Sequence, residues 1–272
     1  MRIAQIQVAS PDEESVAARR QRVATMVVAA AGADLITLPE LWAPGYFAFD
    51  QYTERAEALD GPTVAAGCEW ARALGTWIHL GSIVEASTSG DAGPHNTGLH
   101  NTAVLIDPAG RVAHTYRKVH VFGLGSLEAQ LLLPGDSVSV TSSPLGATGA
   151  TTCYDLRFPE LWRTLVDAGA ESVIVPAAWP AARLDHWRLL SAARAVEQQV
   201  IVVATNATGE HGGVAIAGHS RVIGPWGDVI AEAGIDEGIT WAEIDPAAPA
   251  EVRARFPVLA DRRAGGIRID RG

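Results

Sequence analysis

The sequence predicts an α/β fold in which two β-sheets pack face to face and helices cover their outer sides. Short apolar runs alternate with helical stretches along the whole 272-residue chain, and no linker, repeat or low-complexity tract interrupts them. Some neighbouring strands are joined by tight turns and others by helices. This mixture of hairpins and β–α units fits a two-sheet sandwich better than a doubly wound parallel sheet. We therefore expect one domain over residues 1–272, with an extended Arg- and Gly-rich tail from about residue 257.

In the first half of the chain, capping residues set the predicted helix boundaries. Ser10-Pro11-Asp12-Glu13 combines an N-cap, a proline at the first helical position and a Glu at the third, which predicts a helix from there to about Ala31. Gly75 is expected to cap a second helix, and residues 87–100, rich in Gly, Ser, Asn and Asp, are expected to form a loop. The predicted strands cover residues 3–8, 35–38, 77–84, 102–106 and 111–116, and the second helix covers residues 63–74.

The second half of the chain begins with a predicted loop between Lys118 and Gly135, where periodicity is weak and glycines are frequent. Loops of that length in compact domains are usually functional. Pro159 is expected to open a helix, and Gly224-Pro225-Trp226-Gly227 is expected to form a turn between two strands. The other predicted strands cover residues 138–140, 149–153, 172–175, 200–204 and 240–244, and the helices cover residues 159–168, 183–198 and 249–255.

Composition narrows the classes of function. Lys plus Arg is 21 against 31 for Asp plus Glu, a formal net charge of −10, and there is no basic run. This balance argues against nucleic acid or an anionic membrane as a partner. The N-terminus lacks the pattern of a signal peptide, and no apolar run approaches the ~20 residues that span a bilayer. Two cysteines, Cys68 and Cys153, cannot build a disulfide framework or a four-cysteine zinc site, so we expect free thiols, a cytoplasmic location, no metal and no cofactor.

One position stands out among the basic residues. Lys118 is the single lysine, and the other 20 basic residues are arginines. Arg is a planar fork that stays charged, whereas Lys is a compact ammonium on a flexible stem. Either Lys118 is a surface lysine that survived by chance, or it occupies a site where a guanidinium will not serve.

Three chemically capable side chains lie at the ends of predicted strands, where α/β enzymes collect their reacting groups. Glu40 follows the strand at 35–38, Lys118 follows the strand at 111–116, and Cys153 ends the strand at 149–153. A Cys at a strand–helix junction is a candidate nucleophile, because a helix N-terminus and a nearby Lys stabilise a thiolate. A Glu could carry its proton. Taken singly, each has a structural alternative: a core Cys, a capping Glu and a surface Lys.

The sequences around these residues resemble the signature blocks of the nitrilase superfamily of carbon–nitrogen hydrolases. The three blocks occur in the family's order, and the resemblance covers nearly the whole chain. The blocks are Leu38-Pro39-Glu40-Leu41-Trp42, Tyr116-Arg117-Lys118-Val119-His120 and Cys153-Tyr154-Asp155-Leu156-Arg157-Phe158-Pro159-Glu160. Further matching segments are Pro176-Ala177-Ala178-Trp179-Pro180, His186-Trp187, Ala193-Arg194-Ala195-Val196-Glu197 and Gly218-His219-Ser220.

This resemblance implies a four-layer α–β–β–α sandwich and a Glu–Lys–Cys triad. Cys153 would attack the carbonyl or nitrile carbon, and Glu40 would move the proton. Lys118 and the backbone N–H of Tyr154 would hold the oxyanion. Many members carry a second Glu between the Lys and the Cys, ahead of a Pro-Gly. Glu128 fits that place, since it is the only acidic residue between Lys118 and Asp136.

Other residues near the predicted site carry less specific signals. Tyr46, Tyr154 and Trp179 are candidate pocket walls, although aromatic residues are just as often core. Arg157 could bind a substrate carboxylate, but its place in the general family block favours a structural pairing with an acid. A catalytic pair of Cys153 with His120 is a rival mechanism, but it gives Glu40 and Lys118 no role. Cys68 is predicted to be structural.

The short length and the Cys-Tyr-Asp-Leu-Arg-Phe-Pro-Glu block look most like the small amidase branch of the family. The resemblance ranks hydrolysis of a small carboxamide first, N-carbamoyl hydrolysis second and nitrile hydrolysis third. The alternative outside enzymes is a catalytically inactive scaffold of the same fold, and the presence of all three triad residues argues against it. The family resemblance also implies a homodimer or larger assembly, with Trp162 and Trp187 as candidate contacts.

Overall fold

The structure is a computed structural model, and it describes residues 1–87, 98–123 and 126–263. The N-terminal half builds most of one sheet and two covering helices. Its elements are β1 (Arg2–Gln7), α1 (Val16–Ala29), β2 (Leu35–Thr37), α2 (Tyr52–Arg55), α3 (Pro62–Leu74), β3 (Trp77–Ala86), β4 (Leu99–Ile106) and β5 (Val112–Arg117).

The C-terminal half builds the second sheet and returns one strand to the first. Its strands are β6 (Val140–Ser143), β7 (Gly146–Ala150), β8 (Ser172–Ala177), β9 (Ile201–Asn206), β10 (Glu210–His211), β11 (Val214–Ala215), β12 (Arg221–Ile223), β13 (Val229–Glu232) and β14 (Gly238–Glu243). Its helices are α4 (Glu128–Leu131), α5 (Pro159–Asp167), α6 (Leu184–Gln198) and α7 (Ala248–Arg255).

The two six-stranded sheets are both mixed, as the predicted combination of hairpins and β–α units requires. The first has the order β14-β1-β2-β3-β4-β5 and the second the order β13-β12-β9-β8-β7-β6. In each sheet the central strands joined by helices run parallel and the strands joined by turns run antiparallel. A separate small hairpin pairs β10 with β11.

Three apolar clusters define four layers. One cluster joins the inner faces of the two sheets, with Ile3 and Leu35 from the first against Ile174 and Val203 from the second. A second cluster packs α1 and α3 on the outer face of the first sheet, and a third packs α5 and α6 on the outer face of the second. The α–β–β–α sandwich expected from the sequence is therefore confirmed. Within the described ranges, every helix is too short or too polar to cross a bilayer.

The start of the first helix differs from the prediction. Helix α1 begins at Val16, and its N-cap is Ser15, whose side chain accepts a hydrogen bond from the Ala18 N–H. The hydroxyl of Ser10 instead donates to the carbonyl of Trp42. The predicted capping box at residues 10–13 was wrong, because the Ser10 hydroxyl makes a tertiary contact with Trp42 that the local sequence does not show.

Most other boundaries agree within a few residues. Helix α3 ends where predicted, with Gly75 in the left-handed conformation, and the loop after Lys118 contains the unpredicted short helix α4. Most of the predicted loop at 87–100, at residues 88–97, lies outside the described residues. So do residues 264–272 of the predicted tail.

Candidate active site

Glu40 is placed by a close approach between β2 and β3. The pairing of β3 with β4 shifts register between His79 and Ser82, and Gly81 there has φ +73°. A Cβ at Gly81 would clash with the carbonyl oxygen of Pro39. The Ser82 hydroxyl accepts a hydrogen bond of 3.0 Å from the Leu41 N–H. The chain therefore turns sharply after β2 and buries Glu40 between the sheets.

Lys118 is fixed at the end of β5 by backbone contacts on both sides. Its N–H donates to the carbonyl of Asn101 over 2.9 Å, and its carbonyl accepts from the Gly135 N–H over 2.8 Å. A Cβ at Gly135 would clash with the carbonyl oxygen of Arg117, so only glycine allows the loop to return this closely. Lys118 is 0% exposed, which excludes the surface-lysine alternative.

Cys153 stands at the start of a tight 3₁₀ turn, Cys153–Arg157, that follows β7. Its φ of +46° is an uncommon left-handed conformation for a residue with a side chain. The turn is held by Asp155, whose carboxylate accepts hydrogen bonds from the Thr152 N–H (2.9 Å) and the Tyr116 hydroxyl (2.7 Å). Asp155 also accepts from the His120 N–H (2.9 Å). One buried carboxylate thus ties the Cys153 turn to the segment that carries Lys118.

The three predicted catalytic side chains and the second Glu lie together. The Lys118 Nζ is 2.8 Å from Oε1 of Glu40 and 2.7 Å from Oε1 of Glu128. The other Glu40 oxygen accepts a 3.0 Å hydrogen bond from the Ala178 N–H at the end of β8. The thiol of Cys153 interacts with both Glu40 and the Ala178 N–H. Strand ends from both sheets therefore meet at one buried cluster.

Glu128 is held by more donors than Glu40 is. Its Oε2 accepts from the Tyr46 hydroxyl (2.9 Å) and the Phe122 N–H (2.8 Å), in addition to both contacts with Lys118. The geometry suits Glu128 to positioning Lys118.

Asn101 is a site residue that the sequence analysis missed. Its side-chain N–H₂ donates to Oε1 of Glu40 over 2.8 Å and, more weakly, to Oε1 of Glu128 over 3.4 Å. Asn101 is fully buried in β4. The sequence did offer a signal, since the polar run His100-Asn101-Thr102 opens an otherwise apolar strand. A buried Asn side chain almost always has a hydrogen-bond partner, so Asn101 could have been expected to contact a polar group.

Burial and charge set the protonation states. Burial raises the pKa of Glu40, Lys118 opposes the rise and Glu128 adds to it, so the net pKa is raised. Burial alone would lower the pKa of Lys118, but Glu128 and Glu40 outweigh burial and raise it well above its ordinary value. Burial and the Glu40 charge raise the pKa of the Cys153 thiol well above its ordinary value, against the opposing effect of Lys118.

The stabilisation of a thiolate that the sequence suggested is thus outweighed in the buried cluster. Two carboxylates and one ammonium already give the buried cluster an excess negative charge, and a thiolate would add to it. The turn after Cys153 is five residues of 3₁₀ helix rather than an α-helix N-terminus. Burial and the neighbouring charges therefore favour the neutral thiol of Cys153.

A pocket opens above Cys153, and all three predicted wall residues line it. Tyr46, Tyr154 and Trp179 lie around it together with Arg157 and Arg183. The expected pairing of Arg157 with an acid was wrong within the described residues. Its guanidinium lies 4.7 Å from the Trp179 ring centroid and 3.4 Å from the His186 ring nitrogen.

The rival residues occupy structural positions. The ring of His120 stacks on Phe158 at 3.7 Å and contacts Asp155 through Nδ1 at 2.8 Å, and it does not line the pocket. Cys68 is half-buried on α3 against the outer core of the first sheet. In the described part of the chain, no three His, Cys, Asp or Glu side chains are grouped as metal ligands.

Comparison with known proteins points the same way as the geometry. A family model described as carbon-nitrogen hydrolase matches residues 2–254. The 2-oxoglutaramate amidase of Paenarthrobacter nicotinovorans is 38% identical over 266 residues, which cover 96% of this chain and 89% of that protein. Omega-amidase NIT2 of Homo sapiens is 35% identical over 245 residues, covering 86% and 84% of the two chains.

Solved structures share the fold, and one of them has a chemically modified cysteine. Nit3 of Saccharomyces cerevisiae, a member of branch 10 of the nitrilase superfamily, superposes with a TM-score of 0.84 at 29% identity, over 95% of this chain and 94% of that chain. The amidase from Nesterenkonia sp. AN1 superposes with a TM-score of 0.79 at 27% identity, over 96% and 99% of the chains. That structure shows Michael addition of acrylamide at its active-site cysteine.

Proposed function

This chain belongs to the carbon–nitrogen hydrolase family, and from that premise we propose that it hydrolyses a small carboxamide to an acid and ammonia through a thioester on Cys153. The observation that carries the proposal is the buried contact of Lys118 with Glu40 and Glu128 beside the Cys153 thiol. Burying one ammonium and two carboxylates costs free energy of desolvation, and such buried charged clusters are typical of catalytic sites.

The first half-reaction forms the thioester. The sulfur of Cys153 attacks the amide carbon while its proton passes to Glu40. Lys118 donates to Glu40 and to both oxygens of Glu128. With one N–H shared between the two Glu128 oxygens, its third N–H serves the developing oxyanion, together with the backbone N–H of Tyr154. Glu40 then gives the proton to the nitrogen, the C–N bond breaks and ammonia leaves.

The second half-reaction hydrolyses the thioester. A water molecule loses a proton to Glu40 and its oxygen attacks the thioester carbon. The C–S bond breaks, and Glu40 returns the proton to the sulfur. The raised pKa of Glu40 suits this alternation, because a carboxylate with a higher pKa is the stronger base.

The pocket favours an amide that carries a carboxylate at its other end. Arg157 and Arg183 line the pocket, and neither guanidinium has a carboxylate partner within the described ranges. Arg157 lies over Trp179 and Arg183 over Phe122, so both charges are held at aromatic walls facing the pocket. A monoamide of a small dicarboxylic acid would place its amide at Cys153 and its carboxylate between the arginines. The relatives named 2-oxoglutaramate amidase and omega-amidase support this class.

The substrate class is tested by comparing ammonia release from 2-oxoglutaramate, propionamide, an N-carbamoyl amino acid and an aliphatic nitrile. We expect the highest kcat/KM for 2-oxoglutaramate. Arg157→Leu and Arg183→Leu should raise KM for that substrate and leave propionamide turnover nearly unchanged. A higher kcat/KM for the carbamoyl compound would replace amide hydrolysis by N-carbamoyl hydrolysis as the proposed activity, and a higher kcat/KM for the nitrile would replace it by nitrile hydrolysis. No turnover of any compound by a folded protein would favour the inactive scaffold.

A further inference from the structure

A second, smaller pocket reaches Glu40 from the side of β10. Glu40, Ser10, Ala207, Thr208 and His211 line it, and it has space for about one water molecule. It shares Tyr46, Phe47 and Ala178 with the substrate pocket above Cys153. Glu40 therefore borders a space that is not the one the substrate fills.

This second pocket adjoins the protein surface. His211 and Phe47 also line an outer depression formed with Asp12, Arg55 and Gly212. Phe47 thus borders the substrate pocket, the pocket behind Glu40 and the outer depression. We call the pocket behind Glu40 and this outer depression together the rear passage.

The walls of the rear passage can hold water. His211 is 6% exposed, its Nδ1 lies 2.6 Å from the Asp12 carboxylate, and its Nε2 has no hydrogen-bond partner within the described residues. If Nδ1 carries the proton toward Asp12, Nε2 is left as an acceptor. The hydroxyls of Ser10 and Thr208 and the carboxylate of Glu40 give a water molecule further partners.

The chemistry requires such a route. Once Cys153 is acylated, the acyl chain fills the aromatic substrate pocket, with its far end at Arg157 and Arg183. Ammonia must nevertheless leave, and water must reach Glu40, before the thioester can be hydrolysed. We propose that the rear passage is the solvent route that exchanges ammonia for the hydrolytic water while the acyl group occupies the front pocket. This inference rests on the proposed function.

The test narrows the passage without touching the reacting groups. Ala207→Leu fills the pocket behind Glu40, and Ile216→Phe narrows the same wall from another element. Ala207 and Ile216 belong to one apolar cluster, and Ala56 packs at the edge of that cluster, away from the passage. Ala56→Leu adds the same volume as Ala207→Leu and serves as the control. Thermal melts identify the variants that fold.

Each protein is acylated with the mono-para-nitrophenyl ester of glutaric acid and assayed in parallel with 2-oxoglutaramate. Nitrophenol release reports acylation, and intact mass reports the acyl-enzyme. With the ester, whose leaving group is nitrophenol, we expect the narrowed variants to accumulate the acyl-enzyme and to lose at least about tenfold in kcat, with KM falling in proportion and kcat/KM unchanged, because only hydrolysis of the thioester is slowed. With 2-oxoglutaramate, whose leaving group is ammonia, kcat should fall at least as much. The Ala56→Leu control should match the parent.

Other outcomes overturn the inference. If folded narrowed variants keep the parental kcat and accumulate no acyl-enzyme, water arrives by another path. If kcat and kcat/KM for the ester fall together, the substitutions damage acylation itself, and the loss is not a block of the water route. If the parent is acylated and deacylated normally with the ester but hydrolyses no amide, the proposed function is overturned. The comparison of the variants with the ester still decides whether water uses the passage. Failure of the parent to acylate would overturn both.

Discussion

Lys118 meets a requirement that an arginine cannot meet. Its ammonium fits in a fully buried space between two carboxylates, 2.8 Å from Glu40 and 2.7 Å from Glu128. A guanidinium is wider and spreads its charge over three nitrogens. We therefore expect the single lysine in a chain with 20 arginines to mark a position where the shape of the cation matters.

Lys118→Arg is predicted to preserve the charge and lose the activity. Loss of one oxyanion-stabilising donor costs about 10²–10³ in rate, and we expect a fall in kcat of at least that order. Arg117→Lys is the matched control, since its side chain pairs with Glu85 at the edge of the sheet and a charge-preserving swap there should change kcat little. A folded Lys118→Arg enzyme within a few-fold of the parent would show that the ammonium supplies only generic charge.

The pH profile should depend on Glu128. Burial raises the pKa of Glu40 and Glu128 raises it further, so the parent should lose kcat/KM as the pH falls through a value above 4.5, where Glu40 takes up a proton. Glu128→Gln removes one negative charge, which should move this acidic limb to lower pH and reduce kcat about tenfold or more, because Lys118 is less firmly held. An acidic limb that stays in place would mean that Glu128 does not act on the base.

At the level of single residues, the sequence motifs predict which side chains meet in the site but not the residues that surround them. Glu40, Lys118 and Cys153 could be named because each belongs to a local block, and Glu128 because it is the only acidic residue between Lys118 and Asp136. Asn101 could not, because its contact with Glu40 spans 61 positions of the chain and depends on how β4 lies beside the turn after β2. The protonation state of Cys153 likewise depends on the sum of charges around it.

Among the structural elements, the Cys153 turn and the end of β5 depend on each other through Asp155. Asp155→Ala would leave the Tyr116 hydroxyl and the N–H groups of Thr152 and His120 without their acceptor. Leaving buried donors unsatisfied should lower the free energy of unfolding by about 2 kcal/mol or more. Because the turn also orients the nucleophile, kcat should fall even where the variant is fully folded.

Urea denaturation and kcat, measured on the same samples, check this prediction. Asp136→Ala is the control, since Asp136 is an exposed carboxylate in the neighbouring loop. Equal stability and activity in the Asp155 and Asp136 variants would show that the two segments hold their positions independently.

Element boundaries were predictable where a conformation is local. Gly75 ends α3 because its left-handed backbone favours glycine, and this requirement is visible in the sequence. The start of α1 was not predictable, because the local sequence favours a cap at Ser10, whereas the Ser10 hydroxyl donates to Trp42 and Ser15 caps the helix.

For the whole molecule, the alternation of strands and helices was enough to predict the layers but not the outer surface. Trp162 and Trp187 were expected to contact a partner, yet both are 0% exposed within the chain's own core between α5, α6 and the second sheet. The period of an amphipathic helix shows that one face is buried, but not whether it packs on its own sheet or on another chain.

Assembly into a homodimer or larger oligomer stays a prediction, and so does a cytoplasmic location. The large exposed apolar residues Trp226 and Phe256, which pack edge to face at 5.6 Å, are better candidates for a contact between copies. Light scattering should give at least twice the 28.6 kDa chain mass, and Trp226→Asp should lower it. A monomer at micromolar concentration would contradict the prediction.

The central claim is that an amide is cleaved through a thioester on Cys153, and the most direct test is to trap that intermediate. The protein is mixed with 2-oxoglutaramate, quenched in acid and measured by intact mass and peptide mapping, beside Cys153→Ala and Cys68→Ala. The account predicts an acyl adduct on Cys153 in the parent and in Cys68→Ala, with release of one ammonia per adduct formed. It predicts neither adduct nor turnover in a folded Cys153→Ala. An adduct on Cys68, or amide hydrolysis by the Cys153→Ala protein, would contradict the account.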